Sequence, residues 1–413
     1  MIYLTKSDLI KRIKKGVAQH ISLCIIVIGA ISFFISNIVM KEVLSAKNYG
    51  QYSIFVTYFS LIYLLGILGT EQGFLRFSVK SDKNVISTQK SQFYLLSTVI
   101  ILTSIFSSFC FNFFYKAVPI SFCLLFFSSF SMIGLLFLFN ILRLNTNFVF
   151  SQITSNFWKF VLLIVSLFFY LLHVNNLELL ISIIAYSSIV IFITVLAFIV
   201  SKIKINYDND IVDKDVFISA FHFSLSIIAF SLLTFSDRFV IEKKFSIEEF
   251  GNYFYLTNFF LAPYSILQNY IGFKQLIVFK NDFNVVYFSK FIIKSLILGV
   301  LMAIFLCSMI FIADYYNLIN FKFRNYYCII ILLLITGVSR LYSSSVISAF
   351  EAITTIQTLR KSNIYIILIT ISILLVAVLM TNSIEAILVC FILIWISRSF
   401  IHKNLIMKQL KNK

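Results

Sequence analysis

A few polar and ionisable side chains interrupt stretches that are otherwise apolar, and through them this chain can do chemistry. Lys159 lies ten residues into one apolar run, about 15 Å deep at ~1.5 Å of rise per residue. Gln152, Ser155, Asn156 and Ser166 recur around it at helical spacing, which makes one polar stripe. Arg340 lies fourteen residues into another run, roughly 21 Å from its end by the same rise. It shares a helical face with Thr336, Gly337, Ser343 and Ser344. A third run carries Tyr255, Asn258, Ala262, Ser265 and Asn269 at steps of three and four. Asp237 and Arg238 stand side by side near the end of a fourth, and Arg76 follows a fifth. Cations of this kind attract an anion, and amides and hydroxyls bind a polar ligand. No set of residues has the spacing of a catalytic triad, a phosphate-cradling glycine loop or a metal site. His20 and His222 are isolated and read as core histidines rather than proton carriers.

The elements that must position these residues follow from composition. Of 413 residues 60% are hydrophobic, 12% are charged and two are proline, whereas a water-soluble domain carries about 25% charged residues. A soluble enzyme, a nucleic-acid-binding domain and a disordered chain are thereby excluded. Runs long and apolar enough to cross a membrane fall at 17–40, 50–70, 92–115, 118–142, 149–172, 177–200, 216–240, 250–273, 291–313, 326–350, 363–381 and 384–401. The chain is therefore expected to be an all-α polytopic membrane protein of about twelve transmembrane helices. The runs are too long and continuous for a membrane barrel. The net charge of +17 is distributed by topology and makes no nucleic-acid footprint. With the N-terminus inside, 23 Lys and Arg fall in inner segments, from Lys6 through the tail ending at Lys413, and 7 in outer loops. Both termini are thus expected in the cytoplasm. The six cysteines lie in or beside apolar runs without metal or disulfide spacing and read as small buried hydrophobes.

The chain also repeats once. Ser36-Asn37, then Ser45 to Tyr49-Gly50-Gln51-Tyr52, returns as Ser236-Asp237, then Ser246 to Phe250-Gly251-Asn252-Tyr253, at offsets of 200 and 201. Six spans per half give both copies the same orientation, a parallel repeat about the membrane normal. The expected organisation is a cytoplasmic segment (1–16), a six-helix lobe (17–200), a cytoplasmic linker (201–215), a second six-helix lobe (216–401) and a basic tail (402–413). These blocks, with Gly69-x-x-x-Gly73-x-x-Arg76 after the second span, resemble the polysaccharide-flippase branch of the multidrug/oligosaccharidyl-lipid/polysaccharide exporter superfamily. In length and span count the chain is similar to the O-antigen flippases called Wzx. The resemblance implies two six-helix lobes around a central cavity. It also implies transport of a polyprenyl-pyrophosphate-linked oligosaccharide across the bacterial inner membrane, in lipopolysaccharide or other surface-polysaccharide biosynthesis. Partners of such a system are a polysaccharide polymerase and a chain-length regulator. No cofactor is expected; the drive is the membrane potential, a proton or Na⁺.

An ionisable group at mid-membrane costs about 2.5–3.5 kcal/mol on insertion scales, so it faces a bundle interior or a wet cavity. Lys159 and Arg340 are read either as contacts to an anionic lipid head group or as interhelical clamps, with few carboxylates nearby to pair with them. Asn156 belongs to the Lys159 stripe, and Asn258 is read as a donor to sugar hydroxyls or as helix glue. Asp237 and Arg238 read as a gate or salt bridge as readily as substrate contacts, and Arg76 as a phosphate contact or an ordinary positive-inside residue. One rival reading is a cation-coupled multidrug exporter of the same superfamily, which needs buried carboxylates where this chain has chiefly Asp237. A membrane polymerase or glycosyltransferase needs a large catalytic loop that this chain lacks, and a non-transporting scaffold is the third rival.

Overall fold

The computed structural model describes residues 6–82, 84–208, 214–281, 283–316 and 321–411. The side chains of Arg76, Asn269, His20 and His222 are outside the described residues, and so are the expectations placed on them. The chain forms two compact units, Met1–Ile227 and Ile228–Lys413.

The first unit begins with α1 (Lys6–Val43), α2 (Ala46–Leu65) and the short α3 (Thr70–Phe77). A hairpin of β1 (Val79–Asp82) and β2 (Val85–Gln89) leads into α4 (Lys90–Phe114). Helices α5 (Phe122–Leu144), α6 (Phe148–Leu171) and α7 (Leu177–Lys202) follow, and then β3 (Lys204–Asp208). The division between the units falls inside α8 (Lys214–Lys244). The second unit continues with α9 (Ile247–Asn281), α10 (Val285–Tyr315), a 3₁₀ turn at Phe323–Tyr326, α11 (Tyr327–Ile353), α12 (Ile356–Met380) and α13 (Ile384–Lys411).

Eleven segments among the described residues are long and apolar enough to cross a membrane. The eighth expected span, 250–273, is helical within α9 but is not one of the eleven. Asn258, Gln268 and Pro263 dilute its apolar content. The helix is instead buried around its circumference from Tyr253 to Leu261, so it meets protein on every side and has no need of a lipid-compatible surface. Its counterpart in the repeat, α2, is likewise buried from Tyr49 to Phe59. Both copies of the repeated block start these helices alike. The Ser45 hydroxyl accepts from the Asn48 backbone N–H. Ser246 and Glu249 form a reciprocal capping box at 2.9–3.2 Å, which satisfies amides that no helical carbonyl can reach.

Small residues set the closest helix approaches. A Cβ at Gly29 of α1 would lie 2.5 Å from Asn156 Oδ1 of α6, and one at Gly337 of α11 would enter the Tyr264 ring of α9. Gly69 opens α3 with φ +74°, and its missing Cβ leaves room for the Phe223 backbone. That position therefore needs glycine twice over. Gly73 of the same motif has open space where its Cβ would be.

The segments read as plain loops differ from expectation. Residues 71–91 hold α3 and the β hairpin, and the expected linker at 201–215 holds β3, which pairs in parallel with β2 over Val85↔Lys204 to Gln89↔Asp208. Pairing turns otherwise unsatisfied loop amides into ladder hydrogen bonds. Lys80 Nζ donates to the Asn145 carbonyl at 2.8 Å and to Thr146 Oγ1 at 2.9 Å, holding the sheet to the end of α5. The tail read as beginning at 402 is helical, since α13 runs on to Lys411. The cysteines are all free, but Cys24, Cys123, Cys307 and Cys328 are exposed rather than buried.

Replacing Gly29 by Leu should force α1 away from α6 and cost about 1–3 kcal/mol, the usual penalty for overpacking. The check is the thermal unfolding midpoint of the purified protein in detergent, which should fall for Gly29→Leu and stay nearly constant for Gly73→Ala.

Candidate functional site: intramembrane cations in each unit

In the first unit Lys159 lies one turn beyond Asn156 on α6 and donates to Asn156 Oδ1 at 2.9 Å. Asn156, itself buried, donates from Nδ2 to the Gln152 carbonyl at 3.0 Å. The stripe read from sequence is thus a hydrogen-bonded ladder of Gln152, Asn156 and Lys159, pressed against α1 at Gly29. Asn156 spends one donor and its acceptor on this ladder, so its first role is to hold the ammonium in place. The Ser166 hydroxyl donates to the Leu162 carbonyl of its own helix at 2.7 Å.

The second unit concentrates more charge. Arg340 on α11 is 8% exposed, and its guanidinium lies 5.2 Å from the centroid of the Trp395 ring on α13. Arg398, one turn along α13, lies 5.5 Å from the same centroid. A ring face attracts a cation through its quadrupole, and desolvation strengthens that attraction to about 2 kcal/mol. The ring gives each cation an attractive surface but no counter-charge. The Nε atoms of Arg340 and Arg398 are buried without a hydrogen-bond partner. Asp237, Arg238 and Tyr253 act electrostatically on Arg340, while Glu351 and Arg340 act on Arg398. His402 follows one turn further, 2% exposed, stacked 4.4 Å from Phe350, with both ring nitrogens lacking partners.

Asp237 does not stand free beside Arg238. Its Oδ2 accepts from the Tyr253 hydroxyl at 2.6 Å, a short charge-assisted bond between α8 and α9, while its Oδ1 lacks a partner. The Arg238 guanidinium lies over the rings of Phe235 and Phe254 at 5.5 and 5.2 Å. The two neighbours thus point to different partners, as their ~100° separation on a helix requires. Asn258 on α9 is 7% exposed, with its Nδ2 lacking a partner. On the Arg340 face, Gln268 donates to Ser344 Oγ at 3.0 Å, Thr336 bonds the Leu332 carbonyl, and the Ser343 hydroxyl has no partner.

The structure therefore brings Asp237, Arg238 and Arg340 into one electrostatic group, with Tyr253 and Arg398 added to it, and places Lys159 and Asn156 in the other unit. Sequence reasoning missed Arg398, Trp395 and His402. Arg398 lies within the twelfth apolar run, and counting it with the basic tail concealed an intramembrane cation. Trp395 carries no signal in a run of apolar residues. No group of three or more His, Cys, Asp or Glu able to hold a metal occurs among the described residues.

These helices have the fold of transporters of the multidrug/oligosaccharidyl-lipid/polysaccharide (MOP) superfamily. A multidrug resistance MATE family transporter of that superfamily in its outward-facing conformation matches with a TM-score of 0.55 and 10% identity, over 96% of this chain and 95% of its own. MATE in complex with MaD5 matches with a TM-score of 0.55 and 12% identity, over 95% and 97%. A MOP superfamily transporter from Pyrococcus furiosus Vc1, described as having a binding pocket of reverse polarity that suggests a different function, matches with a TM-score of 0.52 and 11% identity, over 94% and 92%. At these identities the likeness is one of fold. No family model matches the sequence, and no curated protein matches it.

If the Tyr253–Asp237 bond orients the carboxylate, Tyr253→Phe should leave a buried acceptor unsatisfied and cost about 1–3 kcal/mol. Thermal unfolding in detergent measures this. The Tyr253→Phe/Asp237→Asn double variant should lose less than the sum of the single losses.

Proposed function

We propose that the chain is a transporter that moves an anionic amphiphile across the membrane by alternating access. Its cargo in this reading is a polyprenyl-pyrophosphate-linked oligosaccharide, an O-antigen or related surface-polysaccharide repeat unit. The lipid passes from the cytoplasmic to the outer leaflet of a bacterial inner membrane, with both protein termini in the cytoplasm. The observation that carries this reading is the pair of guanidinium groups in the second unit that share one aromatic ring. Arg340 and Arg398 both lie over Trp395, and each has a buried Nε without a hydrogen-bond partner. Buried cations without full neutralisation are costly, and a bound diphosphate supplies the missing negative charge through bidentate hydrogen bonds to guanidinium.

Each sugar hydroxyl moved unpaired into hydrocarbon costs about 4–8 kcal/mol, so unassisted crossing is negligible. Within the second unit, Asn258 and Ser343 are the polar groups proposed to meet the head group. With the cell interior negative, export of an anion gains ~2.3 kcal/mol per charge per 100 mV, which gives the potential a direction to impose.

The second reading is a cation-coupled multidrug exporter. The solved structures of the same fold favour it over the first, since two of those above are MATE transporters and one is described as a multidrug resistance transporter. Asp237 offers it a chemical basis, because the unpartnered Oδ1 is a place for a proton or Na⁺.

Reconstitution into liposomes separates the readings. With a polyprenyl-pyrophosphate saccharide as probe, Arg340→Ala should lower flipping by about 2–3 kcal/mol of lost charge-assisted binding, roughly 30-fold to 160-fold. Arg340→Lys should keep part of the rate, because charge remains without the bidentate fork. Normal flipping by a fully inserted Arg340→Ala protein would remove this residue from the cargo site. Proton-driven extrusion of a cationic dye, abolished in Asp237→Asn, would establish the second reading instead. For topology, single cysteines at 243–249 should react with an impermeant thiol reagent from outside the cell, and reaction only after permeabilisation would invert the assignment.

A further inference from the structure

Within the first unit, α4, α5 and α7 enclose a pocket of about 300 Å³ that none of the cargo-site residues lines. Its walls are hydrocarbon and aromatic, with Phe93 and Ile101 from α4, Phe137 from α5, and Phe192 and Leu196 from α7. Gly134 is also part of the wall; a Cβ there would run into the Phe192 ring, so this glycine permits the close approach of α5 and α7 that shapes the space. The floor is β3. Ile205 and Tyr207, alternate residues on one face of the strand, close the end nearest the sheet, and the Tyr207 ring meets Phe93 edge-on at 5.5 Å. Ser97 and Tyr207 carry the only side-chain polar groups among the lining residues.

The pocket opens sideways at the membrane-facing surface, where Ile101 is 46% and Val200 73% exposed. Water has few polar partners in such a space and does not fill it stably. A hydrocarbon chain from the surrounding bilayer does. The end nearest the sheet is basic. Lys90 stands one turn before Phe93 on the α4 face that carries Ser97, and Lys202 stands one turn beyond Ile199 on α7. Both lysines are exposed, and the proposed topology puts them at the anionic inner leaflet.

The geometry points to a bound anionic glycerophospholipid, one acyl chain in the pocket against Phe93, Phe192 and Tyr207 and its phosphate drawn to the basic sheet end, where Lys90 flanks one edge of the β3 floor and Lys202 the other. The lipid is a resident of the first unit rather than cargo, and its contact with Ile205 and Tyr207 makes β3 part of its site.

Native mass spectrometry of the full, delipidated protein with added phosphatidylglycerol or phosphatidylcholine tests this. Phosphatidylglycerol should stay bound at activation energies that strip phosphatidylcholine. Lys90→Ala/Lys202→Ala should weaken phosphatidylglycerol by roughly tenfold or more and leave phosphatidylcholine unchanged. Ser97→Trp, which fills the pocket, should abolish binding. Ile101→Trp at the mouth should do the same without altering the interior and serves if Ser97→Trp does not fold. Equal retention of the two lipids, undiminished phosphatidylglycerol binding by Ile101→Trp, or displacement of phosphatidylglycerol by an equimolar polyprenyl phosphate would each overturn the assignment.

Discussion

A guanidinium surrounded by hydrocarbon has no water to complete its hydrogen bonds, and the second unit is organised around that constraint. Arg340 is held over Trp395, in the field of Asp237, which is itself fixed by Tyr253. These partners come from α8, α9, α11 and α13, and they meet only because the backbones approach closely. Gly337 admits the Tyr264 ring, and Ser345, Ser348 and Ala349 are small and fully packed. Small residues allow such approach where no hydrophobic force drives helices together. The cost of ionised groups in lipid thus accounts for the close packing of α9 and α11 and for the polar residues that α9 carries.

The two units solve this problem differently, although their repeated blocks begin alike. In the first, an ammonium is held by an amide, with Lys159 on Asn156 and Asn156 on its own helix. In the second, guanidinium groups lie on aromatic rings and interact with carboxylates. A flexible stem with three donors suits one amide partner, whereas a planar, delocalised cation suits an indole face. The serine-capped, buried helices α2 and α9 are thus alike, while the chemistry between the helices differs from one unit to the other.

Much of this was legible in the sequence because lipid imposes a long-range pattern. The spans, and the depths of Lys159 and Arg340, follow from uninterrupted apolar length, and the Gln152–Asn156–Lys159 stripe from helical periodicity. What stayed hidden had no contrast with its surroundings. Trp395 is one apolar residue among many, Arg398 looked like the first cation of a basic tail, and Gly69 shows its left-handed conformation only when the turn is seen. The strands were missed for a related reason. Each is four or five residues of mixed polarity, too short for a period, and β3 gains its partner from a segment more than a hundred residues earlier.

That last pairing has a consequence for how the chain is made. Strands β2 and β3 can bond only if both lie on the same side of the bilayer, so the chain between them must cross an even number of times. The four helices α4 to α7 meet that parity. A nascent chain in which one of them failed to insert would carry β3 to the opposite side and leave β2 with an open edge. Because so distant a contact forms late, the closed sheet is a record, written into hydrogen bonds, that the chain between β2 and β3 crossed the membrane an even number of times.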